Sequence, residues 1–405
     1  MNKYFNKIKL GELTEIIAGG DKPKVFSENK NSINTVPVFA NAEGNNGLQG
    51  YTDIPRIIEP AVTISARGSK VGFAALRKEP FFPIVRLLTL IPQKDKLDVD
   101  YLFYNLKLNR QNGTGSGQPQ ITIPEISEKI ISVPPLLTQQ KIASVLSALD
   151  SKIGLNNRIN EELEAMAKTI YNYWFVQFDF PDKNGKPYNS SGGKMVWNEE
   201  LKREIPEGWQ VKSIEDCCKI IDCLHSKKPD TYFDAEKYYL LQLENLLDNG
   251  LIDVSYKYYV SRDEYFKWTS RIEVKEHDIL ITNAGRVAAT TQVPKEIVTG
   301  IGRNITAIRP MSISPTYLFL SFRGIDIVKQ IKSNTDSGAF FSSFNVKGIK
   351  RLNFLIPPHK IESNFENIVY PIRRKREMNL IENQQLVSLR DWLLPMLMNG
   401  QLKIQ

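Results

Sequence analysis

The chain has 405 residues, enough for two or three domains with separate cores, and its 41% hydrophobic and 24% charged residues are the proportions of a globular protein. No apolar run approaches the roughly 18 residues of a membrane span, and residues 1–10 are too polar for a secretory signal, so a cytoplasmic protein with no membrane partner is expected. A formal net charge of +8 suits a polyanionic partner such as nucleic acid. The three cysteines, Cys217, Cys218 and Cys223, are odd in number and clustered, which argues against a disulfide scaffold and for a reducing compartment. Zinc ligation by these thiols with His225 would require an unusual adjacent pair and a missing second CxxC, so small core thiols are the better reading.

Along the chain, residues 1–135 alternate short β-like runs ("AVTIS", "PIVRLLTLI", "KIISV") with Gly- and Asn-rich turns ("AGGDKPK", "NAEGNNG", "GTGSGQ"). "VDYLFYNLKLNR" reads as a short helix. Pro134-Pro135 closes the last run, and residues 136–180 change to a helical period. Residues 181–205 lie in a Gly-, Pro-, Ser- and Asn-rich stretch expected to be a long surface connector. Residues 206–358 repeat the β-like pattern with "DILIT", "ITAIR" and "LNFLI" and the helical "SPTYLFLSFRG". Residues 359–405 are helical again, with a kink or a delayed start expected at Pro371.

The halves are a tandem repeat. Leu10 matches Ile214, Gly68 matches Gly285, "YLFYNL" matches "YLFLSF", and Pro134 matches Pro357, with a separation that drifts as loops of unequal length intervene. The fold class expected is α/β (α+β), with two similar globules, each carrying a twisted, partly closed sheet and followed by a long helix. A heptad count places Ile142, Leu149, Asn156, Leu163 and Ile170 at one seam position and Val145, Lys152, Ile159, Met166 and Tyr173 at the other. The spacing of the Pro-Pro junctions carries these onto Phe365, Ile372, Asn379, Leu386, Leu393 and Ile368, Lys375, Glu382, Leu389, Met396 without a gap. The polar exceptions fall at matching places, so an antiparallel coiled coil of the two helices is expected; the alternative packs each helix on its own globule.

These features resemble the specificity subunit of Type I restriction–modification systems over essentially the full length. The resemblance rests on the openings "LGELTEIIAGGDKP" and "PEGWQVKSIEDCC", the junction "VPPLLTQQKI" and the connector "FDFPDKNGKPYNSSGGKMVWNEELKREIPEGW"; the second junction, "IPPHKIESNFENIV", departs by lacking Gln-Gln. It implies a non-catalytic subunit that reads a bipartite, asymmetric double-stranded DNA site. It also implies adenine-methyltransferase partners, two copies in view of the repeated helix, and restriction subunits in the full complex. S-adenosylmethionine, ATP and magnesium would then belong to those partners, with no cofactor in this chain. About 38 helical residues rise roughly 57 Å, the length of on the order of 17 base pairs, so the helices are expected to act as a ruler between half-sites.

No nucleotide loop, methyltransferase motif or general-base cluster occurs in the sequence. A self-contained metal-dependent nuclease would have to use Asp230, Glu273 and Lys275, which are widely spaced; a purely structural helical scaffold for protein partners is a third reading. Base and phosphate contacts are expected from turns: Arg67 and Lys70 in "SARGSKVG", Arg286 in "TNAGRVA", and Arg303 and Asn304 in "IGRNIT". Gln118 and Gln120 in "GSGQPQIT" stand at the turn matched by Ser342, Ser343 and Asn345 in "SGAFFSSFN", with unlike chemistry. Leu146, Ile153 and Tyr171, beside the seam, are the apolar candidates for partner binding.

Overall fold

The computed structural model describes residues 5–68, 70–113, 119–232, 238–337 and 342–402. The chain forms two compact units, Met1–Gly154 with Gln385–Gln405, and Leu155–Gln384. Both long helices are thus shared between units, whereas the sequence places domain ends near residues 135 and 358. The cause is packing: Leu394, Leu397 and Met398 from the end of the second helix join Ile142, Ala143 and Leu146 in the first unit's core.

The first unit runs β1 (Asn6–Lys9), α1 (Leu10–Leu13), β2 (Thr14–Ala18), β3 (Val36–Phe39), β4 (Leu48–Thr52), β5 (Ala61–Ile64), β6 (Ala74–Arg77), β7 (Phe82–Pro83), β8 (Leu88–Pro92), α2 (Val99–Leu108), α3 (Ile123–Ser127), β9 (Ile130–Val133) and the start of α4 (Leu136–Tyr171). Instead of one partly closed sheet there are a four-stranded sheet β2-β8-β5-β6, a three-stranded sheet β4-β3-β7 and the pair β1-β9. Every residue of β5 is buried, as its unbroken apolar run requires of a central strand. The run "PIVRLLTLI" is not one strand: Val85 and Arg86 take positive φ, and the chain turns there between β7 and β8.

The second unit runs from the end of α4 through β10 (Met195–Asn198), β11 (Arg203–Pro206), β12 (Gln210–Ser213), α5 (Ile214–Cys217), β13 (Cys218–Asp222), β14 (Tyr239–Leu241), β15 (Tyr258–Tyr259), α6 (Arg262–Thr269), β16 (Ile279–Thr282), β17 (Thr290–Gln292), β18 (Gly300–Ile301), β19 (Ile305–Pro310), α7 (Pro315–Phe322), α8 (Ile325–Ser333), β20 (Asp336–Ser337), β21 (Ser342–Ser343), α9 (Val346–Lys350), β22 (Asn353–Ile356) and α10 (His359–Met398). Its sheets β13-β19-β16-β17, β15-β14-β18 and β12-β22 repeat those of the first unit. Even the register repeats: Ile16 and Val62 flank Leu90, as Ile220 and Ile279 flank Ile308. The connector stays at the surface, with Ile205 its one buried residue, but it is not all loop. β10 and β11 form a hairpin, and Phe178 and Phe180 are buried against Trp209. Burial is confined to these flanking aromatics, and the turn-rich stretch between them stays at the surface.

Each Pro-Pro pair leads directly into its helix, where a fixed φ and a missing N–H cost nothing. α10 runs through Pro371 as one element, so no delayed start occurs. Gln139 is fully buried: its Oε1 accepts from the Asp98 amide at 2.9 Å, and its Nε2 donates to Lys96 O and Pro134 O. At the matching place in α10 stands Glu362, which accepts from the Ser314 amide at 2.5 Å. The missing Gln-Gln is therefore replaced by a carboxylate that holds the same backbone ahead of the matching helix.

α4 and α10 are antiparallel. In the first unit Asp150 pairs with Arg390 at 2.7 Å. In the second, Asn156 Nδ2 donates to Asn383 Oδ1 at 2.9 Å, while Asn379 Nδ2 donates to Asn160 Oδ1 at 2.9 Å. The seam uses Leu146, Asn160, Ala167 and Trp174, each one residue beyond the expected second position; Lys152 and Tyr173 are exposed, and Met166 is 52% exposed. The stripe faces an α/β core as well as the partner helix, so it takes the i+4 step, which widens it.

Burial raises the carboxyl pKa of Glu362 above its ordinary 4.5, the Ser314 amide acting against it. Stability from this group is thus intact below the ordinary carboxylate range and is lost as pH rises through the folded-state value. Glu362→Gln is expected to raise the unfolding temperature at pH 7 and to leave it unchanged near pH 4, checked by scanning calorimetry at both pH values.

Candidate nucleic-acid interface

In the first unit five loops meet at one end of the sheets. The amides of Val85 and Arg86 donate to Gly20 O and Gly19 O at 2.8 and 3.0 Å. Asn41 spans two further loops: its Nδ2 donates to Val85 O, and its Oδ1 accepts from the Ala66 amide at 2.8 Å. Arg67 forms a backbone bridge with Gln120, and Lys70 pairs with Glu43 at 2.8 Å. Arg67, Gln120 and Lys70 are all exposed there. The Lys70–Glu43 pair is on the surface, where solvent screens it, so a phosphate could replace Glu43 at little cost. Gln118 lies outside the described residues.

The second unit also ties its loops through an asparagine, Asn283, at a different position of the repeat. Its amide donates to Asn304 O, its carbonyl accepts from the Phe344 amide, and its Nδ2 donates to Phe344 O. The Thr306 hydroxyl donates to Asn283 Oδ1 at 3.1 Å. Arg303 and Asn304 are exposed on a turn that Asn304 closes with φ 63°. Among the described residues, neither Arg67 nor Arg303 has an ion-pair partner, which suits a residue waiting for phosphate or base.

Other candidates are placed differently. Arg286 does not mirror Arg67: its guanidinium pairs with Asp248 at 2.6 Å and donates to Leu243 O and Leu246 O. Three acceptors make it a strut between loops. Asn345 caps α9, accepting from the Gly348 amide at 3.0 Å, and Ser343 is half-buried, paired through its backbone with Asp336. The Ser342 side chain is outside the described residues. Leu146 is fully buried, and Tyr171 packs on Phe175, Tyr317 and Phe365; only Ile153 keeps partial exposure. Leu146 and Tyr171 are core residues, not a docking surface, because the seam turns toward them.

Sequence reasoning missed Arg86, exposed at φ 57° beside the Gly19-Gly20 turn. Its signal was a lone arginine inside an apolar run. Asp230, Glu273 and Lys275 form no metal cluster among the described residues: Glu273 accepts the Tyr265 hydroxyl at 2.6 Å, and the one group of ligand-type side chains found is Asp222, Cys223 and His225.

The geometry separates arginines with no ion-pair partner among the described residues from one that is already paired. Arg67→Ala and Arg303→Ala are each expected to weaken DNA binding and to reduce its salt slope by about 1 if the contact is to phosphate, with melting temperature unchanged. Arg286→Ala is expected to lower the melting temperature instead. Fluorescence anisotropy across a salt series and thermal melts check both.

Comparisons with known proteins bear on the family of the chain. The family model "Type I restriction modification DNA specificity domain" matches residues 2–165. The specificity subunit of the type I restriction enzyme MjaIX of Methanocaldococcus jannaschii is 25% identical over 369 residues, covering 86% of this chain and 79% of that one. A Mycoplasma pneumoniae sequence named as the C-terminus of a type I specificity subunit is 31% identical over 134 residues, covering 33% of this chain and 91% of that one. The crystal structure of the type I restriction–modification S subunit from M. genitalium has the same fold, with a TM-score of 0.63 at 17% identity, covering 98% of this chain and 97% of that one. With its duplicated α/β frame, paired long helices and these relatives, the chain belongs to the family of Type I restriction–modification specificity subunits.

Proposed function

We propose that this chain is the non-catalytic reader of a split, asymmetric double-stranded DNA site in the cytoplasm, and that it positions adenine-methyltransferase subunits, with restriction subunits in the full complex. S-adenosylmethionine, ATP and magnesium belong to those partners in this reading. The observation that carries it is one frame used twice with unlike loop ends. Both units latch their loops through a side-chain amide, Asn41 in one and Asn283 in the other. Yet Arg67 and Gln120 stand on the first, Arg303 and Asn304 on the second. An identical frame with different side chains at its tips is suited to reading two different half-sites.

Adenine methylation mapped across DNA exposed to the assembled complex is expected to reveal a two-part motif with unlike halves. Exchanging residues 14–133 with 218–356 should exchange the order of those halves. A palindromic motif from the unaltered chain would overturn the reading.

Two methyltransferase copies are supported by the repeat of exposed apolar side chains on the helices. Leu155 and Met378 occupy matching positions, as do Met166 and Leu389, and all four are exposed. Such side chains, repeated at equivalent places, suit two copies of one partner. Leu155→Glu combined with Met378→Glu is expected to reduce the mass of the complex by light scattering without changing the melting temperature of the chain; full assembly would reject this surface.

A further inference from the structure

Where β13 ends, Asp222, Cys223 and His225 bring a carboxylate oxygen, a thiol sulfur and an imidazole nitrogen within 4.8 Å of one another. His225 Nε2 lies 2.7 Å from Asp222 Oδ2. Asp222 Oδ1 accepts from the Cys223 amide at 3.0 Å, so the carboxylate is held in place. Cys223 is 1% exposed and lies in the apolar cluster with Leu241, Ile301 and Ile305. Desolvation raises the thiol pKa, the Asp222 carboxylate adds to this, and the backbone of Ile305 and Asn304 opposes it.

A thiol that only fills space needs no imidazole and carboxylate beside it. A metal-bound thiolate uses both, as two further ligands. The first unit offers a control within the same chain. Its matching strand ends at Ala18 and continues Gly19-Gly20-Asp21, with no thiol or imidazole. The set therefore does not belong to the repeated frame.

We propose that Asp222, Cys223 and His225 form a site for one thiophilic divalent cation, zinc being the best chemical match, with a further position open to water. Binding forms a metal–sulfur bond and releases the thiol proton to solvent; no oxidation state changes. Sulfur in the donor set distinguishes it from the all-oxygen site of a magnesium-dependent nuclease, for which this set offers too few carboxylates. The proposal concerns cation binding alone and stands whether or not the loops read DNA.

The test is titration of the untagged, reduced, full-length chain with cobalt(II), followed by absorption. A sulfur-to-cobalt charge-transfer band saturating at one ion per chain is expected. Cys223→Ser should remove the band, while Cys217→Ser and Cys218→Ser keep it. His225 has an exposed side chain, so His225→Ala should fold normally by circular dichroism. It should bind cobalt about tenfold or more weakly, having lost one of three protein ligands. Absence of the band, its survival in Cys223→Ser, or unchanged affinity in His225→Ala would each overturn the proposal. If Cys223→Ser fails to fold, His225→Ala alone decides.

Discussion

The register of α4 against α10 rests on two reciprocal amide hydrogen bonds. Asn156 donates to Asn383, and Asn379 donates to Asn160, both at 2.9 Å. Asn156 holds in α4 the place that Asn379 holds in α10, and Asn160 the place of Asn383, so the two bonds are images of each other. All four side chains are buried. A slip along the seam would set these amides against leucines such as Leu163 or Leu386. Each stranded buried amide would cost about 1–3 kcal/mol. An all-leucine seam would tolerate such a slip; this one does not. Around the amides the polar layer continues, with Asn156 also donating to Glu382, Asn383 to Asn157, and Arg376 pairing with Glu164 at 2.7 Å.

That constraint explains a division of labour along the chain. Parts of the repeat that contact their own frame are copied: the junction strut survives a change from Gln139 to Glu362, and the helix caps survive a change from Asp98 to Ser314. What is held fixed is the hydrogen bond made, not the residue that makes it. At the loop ends the reverse holds. Asn41 and Asn283 come from different positions of the repeat, yet each ties neighbouring loops together and leaves an arginine outward on a turn. A frame of this kind lets loop chemistry change without disturbing the core.

The sequence carried the repeat, the strands and the helices because these depend on periodicity and on punctuation by proline and glycine. "DILIT" and "ITAIR" became β16 and β19, and the Pro-Pro pairs became helix starts. Three things were not legible. The seam position was missed because a seven-residue repeat allows either an i+3 or an i+4 partner, and only the core beside the helix chose Leu146 over Val145. The hairpin inside the connector was hidden because composition favours a loop, and the packing of the flanking Phe178 and Phe180 on Trp209 exists only once folded. Arg86 was hidden in an apolar run whose left-handed turn has no glycine to announce it.

Arginine shows most clearly why the site was harder to read than the fold. Arg67, Arg286 and Arg303 look alike in sequence, each beside a glycine in a turn. Arg286 has Asp248 and two carbonyls within reach and is already occupied, whereas Arg67 and Arg303 have no ion-pair partner among the described residues. A guanidinium that already makes three charge-assisted hydrogen bonds would lose them on turning to DNA, while an exposed one gives up only its hydration. Net charge therefore says that cations are in excess; the acceptors around each cation determine which of them are free to bind.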